Sequence, residues 1–151
     1  MVSYLLRFVF AHRPARPAGL KAGHAGLPIG KNTHHALASP EDVIAAGRPL
    51  LDSVQMLAVS LGKDGATLIS ADGAWHALCH LPPAAVKSTV GCGDALLAGF
   101  LAGLEQRRPP AECLRLGVAC GSACALTPAA GLIYPADVEQ LLHKTRLTEL
   151  E

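Results

Sequence analysis

Ser88-Thr89-Val90-Gly91-Cys92-Gly93-Asp94 runs directly into Ala95-Leu96-Leu97-Ala98-Gly99-Phe100-Leu101-Ala102-Gly103-Leu104, ten residues without a polar side chain. The apolar run reads as a buried helix, which puts Gly91–Asp94 at its N-terminus. Two glycines one residue apart let the backbone turn tightly and bring N–H groups close to a ligand. Unpaired first-turn amides and the positive end of the helix dipole make such a place an anion site. A carboxylate inside an anion site fits phosphoryl transfer, in which amides hold the phosphate and an acid side chain takes a proton from the attacking hydroxyl. The same four residues also read as an ordinary helix cap, with Asp94 bonding the first-turn amides. Taken alone they leave both readings open.

The chain has 151 residues, enough for one domain with a hydrophobic core. Half the residues are hydrophobic but only 4% are aromatic, a mixture that suits close helix–sheet packing in an α/β protein. Net charge is +1, which gives no general pull towards nucleic acid. The charge is unevenly spread. Arg7, Arg13, Arg16, Lys21 and Lys31 stand in residues 1–40 without an acid, whereas residues 41–151 hold the other eight bases and all twelve acids. The basic arm has too little Arg, Lys and aromatic density to read as a nucleic-acid contact. Cys79, Cys92, Cys113, Cys120 and Cys124 contain no CxxC pair, so they read as buried thiols in a reducing, cytoplasmic setting rather than as disulfides or metal ligands. Met1–Phe10 is broken by Arg7 and is too short to span a bilayer, which takes ~20 residues. No membrane partner is expected.

Residues 1–37 carry Pro14, Pro17, Gly19, Gly23, Gly26, Pro28 and Gly30, which break any period. They are expected to be a poorly ordered arm, with a short strand or helix near Tyr4–Phe10 and a solvated His34-His35 pair. Ser39-Pro40-Glu41-Asp42 is a helix-start signal, and the helix should end near Asp52. Met56-Leu57-Ala58-Val59-Ser60-Leu61 reads as a strand buried on both faces, as in a parallel sheet. Ala66–Ser70 and Ala74–Leu78 are short strands joined by the hairpin signal Ala71-Asp72-Gly73, with Trp75 and His76 as packing or surface residues. Two further helices are expected, at about Ala111–Leu126 and from Pro135, followed by a polar tail that frays after His143.

These residues together resemble the C-terminal part of a ribokinase-type (PfkB-type) carbohydrate kinase, in the 1-phosphofructokinase and tagatose-6-phosphate kinase branch. Three stretches carry the resemblance in order. Val59-Ser60-Leu61-Gly62-Lys63-Asp64-Gly65 is similar to the family's strand and nucleotide-binding turn. Ser88–Asp94 with Ala98-Gly99-Phe100-Leu101 is similar to its signature around a catalytic aspartate. Gly121-Ser122-Ala123, followed by Thr127 and Gly131, is similar to the helix bordering its nucleotide pocket. The resemblance covers residues 38–147, with 148–151 as tail.

The resemblance implies an α/β fold, the C-terminal portion of a ribokinase-like three-layer α/β/α fold whose N-terminal half and lid are missing from this chain. It implies Asp94 as general base, and the amides of Gly91, Cys92, Gly93 and Asp94 as an anion hole. Ser60, Gly62, Lys63, Asp64, Gly65 and Ser122 would line the nucleotide site, Lys63 being free to point into solvent and Gly62 and Gly65 also reading as a plain turn. ATP and Mg²⁺ are the implied cofactors, and no metal-ligating residue is assigned. The implied reaction is phosphorylation of a sugar phosphate, fructose 1-phosphate to fructose 1,6-bisphosphate.

Two departures stand out. Cys92 replaces the small Ala or Ser usual between the glycines, which exposes the site to oxidation or alkylation. A Lys-Pro-Asn stretch with an Asn-x-x-Glu element should stand shortly before Ser39, where this chain has Gly30-Lys31-Asn32-Thr33-His34-His35 and no acid. Residues 1–37 are therefore read as non-homologous, from a misplaced start, a frameshift or a fusion. Impaired turnover is expected of this chain, with a non-catalytic nucleotide-binding or interaction remnant as the alternative. A homodimer or aggregation through an exposed sheet edge is also expected.

Overall fold

The computed structural model describes residues 39–52 and 54–151, together with the backbone of residues 9–12. Strand β1 is Val9–His12, and helix α1 is Pro40–Gly47, continued by a 3₁₀ turn over Arg48–Asp52. Ser39 caps α1 reciprocally. Its hydroxyl accepts from the Asp42 amide at 3.2 Å, while the Asp42 carboxylate accepts from the Ser39 amide at 3.1 Å. Pro40 then occupies the first turn, where its missing N–H costs nothing. The expected helix up to Asp52 is thus α-helical only to Gly47.

Strands β2 (Met56–Ser60), β3 (Ala66–Ser70) and β4 (Gly73–Leu78) follow, with Ala71 and Asp72 as the two-residue loop of the β3–β4 hairpin. The Asp72 amide donates to Ser70 Oγ at 3.1 Å and tightens that loop. Helices α2 (Cys92–Glu105), α3 (Pro110–Ala125) and α4 (Pro135–Lys144) come next, and β5 (Arg146–Leu150) completes the described chain. Among the described residues the five strands form one sheet in the order β1-β2-β3-β4-β5.

Every pairing in this sheet is antiparallel, which corrects the parallel-sheet expectation for Met56–Leu61. β2 is buried on both faces, as its unbroken apolar run required. That burial comes from helices on both sides of the sheet and says nothing about strand direction. On one face Val43 and Ile44 of α1 pack with Leu57, Val59, Ile69 and Ala74. On the other, Phe100, Leu114, Val118 and Leu141 of the three later helices pack with Ala58, Leu68 and Ala77. Phe100, Leu68 and Leu114 are at most 1% exposed, and burial of each such side chain contributes roughly 1.5–3 kcal/mol. The three-layer α/β/α arrangement is the one expected.

The fraying tail is also corrected. β5 pairs with β4 from Leu78↔Arg146 to Ala74↔Leu150. Leu147 packs into the cluster under α2–α4, and Leu150 into the one under α1. One leucine on each face anchors an otherwise polar edge strand. β1 overlaps the end of the region near Tyr4–Phe10 where a short strand or helix was expected, and the remaining expectations for residues 1–37, including His34-His35, lie outside the described residues. Among the described residues no helix is long and apolar enough to cross a membrane.

Candidate phosphate and nucleotide site

α2 begins at Cys92 because Gly91 turns the chain there. Gly91 is the N-cap, with φ +83°, a conformation that L side chains rarely adopt. Ala95 N–H donates to Gly91 O at 2.9 Å and starts the helical ladder. The amides of Cys92, Gly93 and Asp94 precede that ladder. Cys92 N–H reaches Thr89 O at 3.4 Å, so the Gly93 and Asp94 amides are the ones left at the helix mouth. No side chain caps α2, which removes the reading of Asp94 as the cap. Asp94 lies in the first turn with its side chain exposed.

The ground behind this turn is built by α3 and the loop after it. α2 and α3 pack closely: a Cβ on Gly121 would lie 3.0 Å from Cys92 O. Ser122, next to Gly121 and half-buried, is therefore carried to the same end of the helix pair. Thr127 Oγ1, 4% exposed as a residue, lies 3.0 Å from Cys124 O, 3.1 Å from Ala129 O and 2.9 Å from Leu132 O. Its single proton serves these carbonyls in turn and gathers residues 124–132 into a compact loop. That loop places Gly131 against Gly91.

The β2 side contributes Ser60, buried at the end of its strand, which borders a narrow crevice with Leu96, Leu97 and Phe100 of α2. After it the chain makes a 3₁₀ turn over Gly62–Asp64, closed by Leu61 N–H to Gly65 O at 2.7 Å. Gly65 has φ +86° and sits so close to Ala77 O that no Cβ fits, so a plain structural demand accounts for this glycine. Lys63 Nζ pairs with the Asp64 carboxylate at 2.9 Å, in the open, with side chains 88% and 58% exposed. An exposed pair of this kind holds neither group firmly.

Ser60 and the first turns of α2 thus meet at one crevice, and Ser122 is brought to the α2 mouth through Gly121. Gly62, Lys63 and Asp64 stand on an exposed turn, with Lys63 and Asp64 engaged with each other. Thr127 and Gly131 shape the ground behind Gly91, although the sequence gives them only as trailing residues of a motif. Local spacing makes Cys124 one of three thiols on a helix face. Its neighbour across the helix pair is Cys92, 32 positions earlier, a relation no local spacing shows. Burial pushes the Cys92 thiol up to about 12, with Cys124 adding to the effect. Burial also raises Cys113 and Cys120.

Residues 29–137 match the pfkB family of carbohydrate kinases. The match takes in Ile29–Leu37, part of the stretch expected to be a non-homologous arm. The chain is 33% identical over 136 residues to 1-phosphofructokinase of Bacillus subtilis, covering 89% of this chain and 43% of that protein. It is 38% identical over 109 residues to ATP-dependent 6-phosphofructokinase isozyme 2 of Mycobacterium tuberculosis, covering 71% of this chain and 31% of that one. The crystal structure of phosphofructokinase-2 from Escherichia coli in complex with potassium superposes with a TM-score of 0.64 at 29% identity, over 71% of this chain and 35% of that one. This chain belongs to the pfkB family of carbohydrate kinases. It spans less than half the length of these relatives.

Proposed function

We propose that this chain is the phosphate-handling portion of a 1-phosphofructokinase-like sugar kinase. The observation that carries the reading is the α2 mouth. Gly91 in a left-handed conformation, the forward amides of Gly93 and Asp94, and an exposed carboxylate stand together at one helix N-terminus. Amides so placed suit a phosphate group. Mg²⁺ enters this reading as the partner of the nucleotide phosphates, the way that ion is commonly held. MgATP supplies the phosphoryl group and the divalent charge.

In this reading the Gly93 and Asp94 amides hold the transferring phosphate and its growing charge. The hydroxyl oxygen of the sugar phosphate bonds to the γ-phosphorus as the bond from that phosphorus to the β–γ bridging oxygen breaks. Asp94 accepts the hydroxyl proton, and ADP leaves. Ser60 and the Gly62–Gly65 turn border the nucleotide, with Ser122 near its base. Fructose 1-phosphate is the proposed acceptor, supported by the kinship with 1-phosphofructokinase, and the cytoplasm the proposed location.

The alternative reading is a nucleotide-binding module without turnover. Calorimetry with MgATP on wild type and Gly93→Asp, beside a coupled assay with fructose 1-phosphate, separates the readings. Binding lost in the variant supports the phosphate site, and turnover decides between kinase and module. Equal binding in both proteins, or none in wild type, overturns the site. A dimer through an exposed sheet edge is proposed alongside; a single monodisperse monomer at all concentrations in light scattering would rule it out.

A further inference from the structure

Cys92 opens α2 and Cys124 sits in the last turn of α3. The two helices run past one another at close range, because Gly121 lets the α3 backbone approach Cys92 O. Cys92 Sγ donates to Ser88 O at 3.6 Å, and Cys124 Sγ donates to Val90 O at 3.7 Å. Those carbonyls are two residues apart in the same turn. Cys124 is also among the groups that raise the Cys92 thiol. The other cysteines are placed differently: Cys113 packs against Gly103 and Cys120 against Gly99, further along the helix pair. We propose that Cys92 and Cys124 form a reversible intramolecular disulfide that staples the first turn of α2 to the last turn of α3.

The exposures of the two residues set the order of events. Cys92 is partly exposed and Cys124 buried, so a small oxidant such as hydrogen peroxide meets Cys92 first. The Cys92 sulfur takes one peroxide oxygen and becomes a sulfenic acid, releasing one water. Cys124 Sγ attacks that sulfur, the S–S bond forms, and the hydroxyl leaves as a second water. Two thiols lose two protons and two electrons, and one peroxide becomes two waters. The raised Cys92 thiol makes the thiolate scarce at neutral pH, so the bond forms slowly there and faster as pH rises. This is a slow accumulator of oxidation, reset by a dithiol reductant. The bond does not depend on the nucleotide reading of the α2 mouth.

The test is thiol mapping of the full purified chain after peroxide, with alkylation in denaturant and mass analysis of peptides. The expected result is a linked Cys92–Cys124 peptide pair, three of the five thiols still alkylated, and full recovery with dithiothreitol. Formation should be faster at pH 9 than at pH 7. In Cys124→Ser, with folding checked by circular dichroism, Cys92 should accumulate as sulfenic or sulfinic acid instead. All five thiols remaining alkylatable, Cys92 overoxidised in wild type with Cys124 free, or links only between chains would each overturn the proposal. Because the mapping is done on wild type, it stands even where the serine variant fails to fold.

Discussion

Gly91 backs directly onto Gly131: a Cβ on Gly91 would lie 2.6 Å from the Gly131 amide nitrogen and 3.0 Å from its Cα. Both glycines have positive φ, +83° and +71°, but nothing lies within 4 Å of a Cβ placed on Gly131. The two alanine variants should therefore separate strain from overlap. Gly131→Ala should lose roughly 1–2 kcal/mol, the cost of a left-handed L residue. Gly91→Ala should lose ~1–3 kcal/mol more, because a rigid backbone nitrogen must move. Urea denaturation of the pair checks this, and equal losses would show that the contact carries no energy.

The sequence made the helices and the β3–β4 hairpin legible because their signals are local. Ser39-Pro40 starts α1, Pro109-Pro110 separates α2 from α3, and Ala71-Asp72-Gly73 marks the hairpin turn. The α2 mouth was legible for the same reason, since Gly91, Gly93 and Asp94 are contiguous. Strand direction was not, because β2 is equally apolar whichever way its neighbours run. β5 was missed because Leu147 and Leu150 face opposite sides of the sheet and leave no one-sided apolar pattern. The Gly91–Gly131 and Cys92–Cys124 contacts arise only once α3 and its following loop fold back across α2.

Thr127→Val keeps the side-chain shape and removes the hydroxyl that gathers Cys124 O, Ala129 O and Leu132 O. Carbonyls left facing a buried methyl lose their donor, at a cost of roughly 1–3 kcal/mol. Because this loop carries Gly131, MgATP binding should weaken together with stability. Denaturation and calorimetry on the variant check both. Unchanged stability would mean that the loop holds its form without the hydroxyl.

His76 gives stability a pH dependence of definite sign. Its Nδ1 lies 3.2 Å from Thr67 Oγ1 on the α1 face of the sheet, and burial holds the imidazole below its ordinary value of 6.5, against an opposing pull from Glu41. The unfolded chain then binds this proton more readily than the folded one. The stability it contributes is present above pH 6.5 and is lost as pH falls from there towards the folded value. Melting temperature should drop between pH 7.5 and pH 5, and His76→Gln should flatten that slope. A variant with the same slope as wild type would place the pH dependence elsewhere.

Asp94→Asn separates a catalytic carboxylate from a structural one. The side chain is exposed, α2 has no side-chain cap, and among the described residues no hydrogen bond or ion pair engages the carboxylate. What it gives the fold is a first-turn acid at the positive helix end, worth ~0.3–1 kcal/mol. The variant should lose no more than that in urea. It also removes one negative charge beside the proposed phosphate position, so MgATP should bind as tightly as to wild type or more tightly. Any phosphoryl transfer by the wild-type chain should fall by about 10²–10⁴-fold, the scale of a lost general base. Tighter nucleotide binding with lost transfer places Asp94 at the reacting hydroxyl. A large loss of stability, or weaker binding with transfer unchanged, would return it to a structural role.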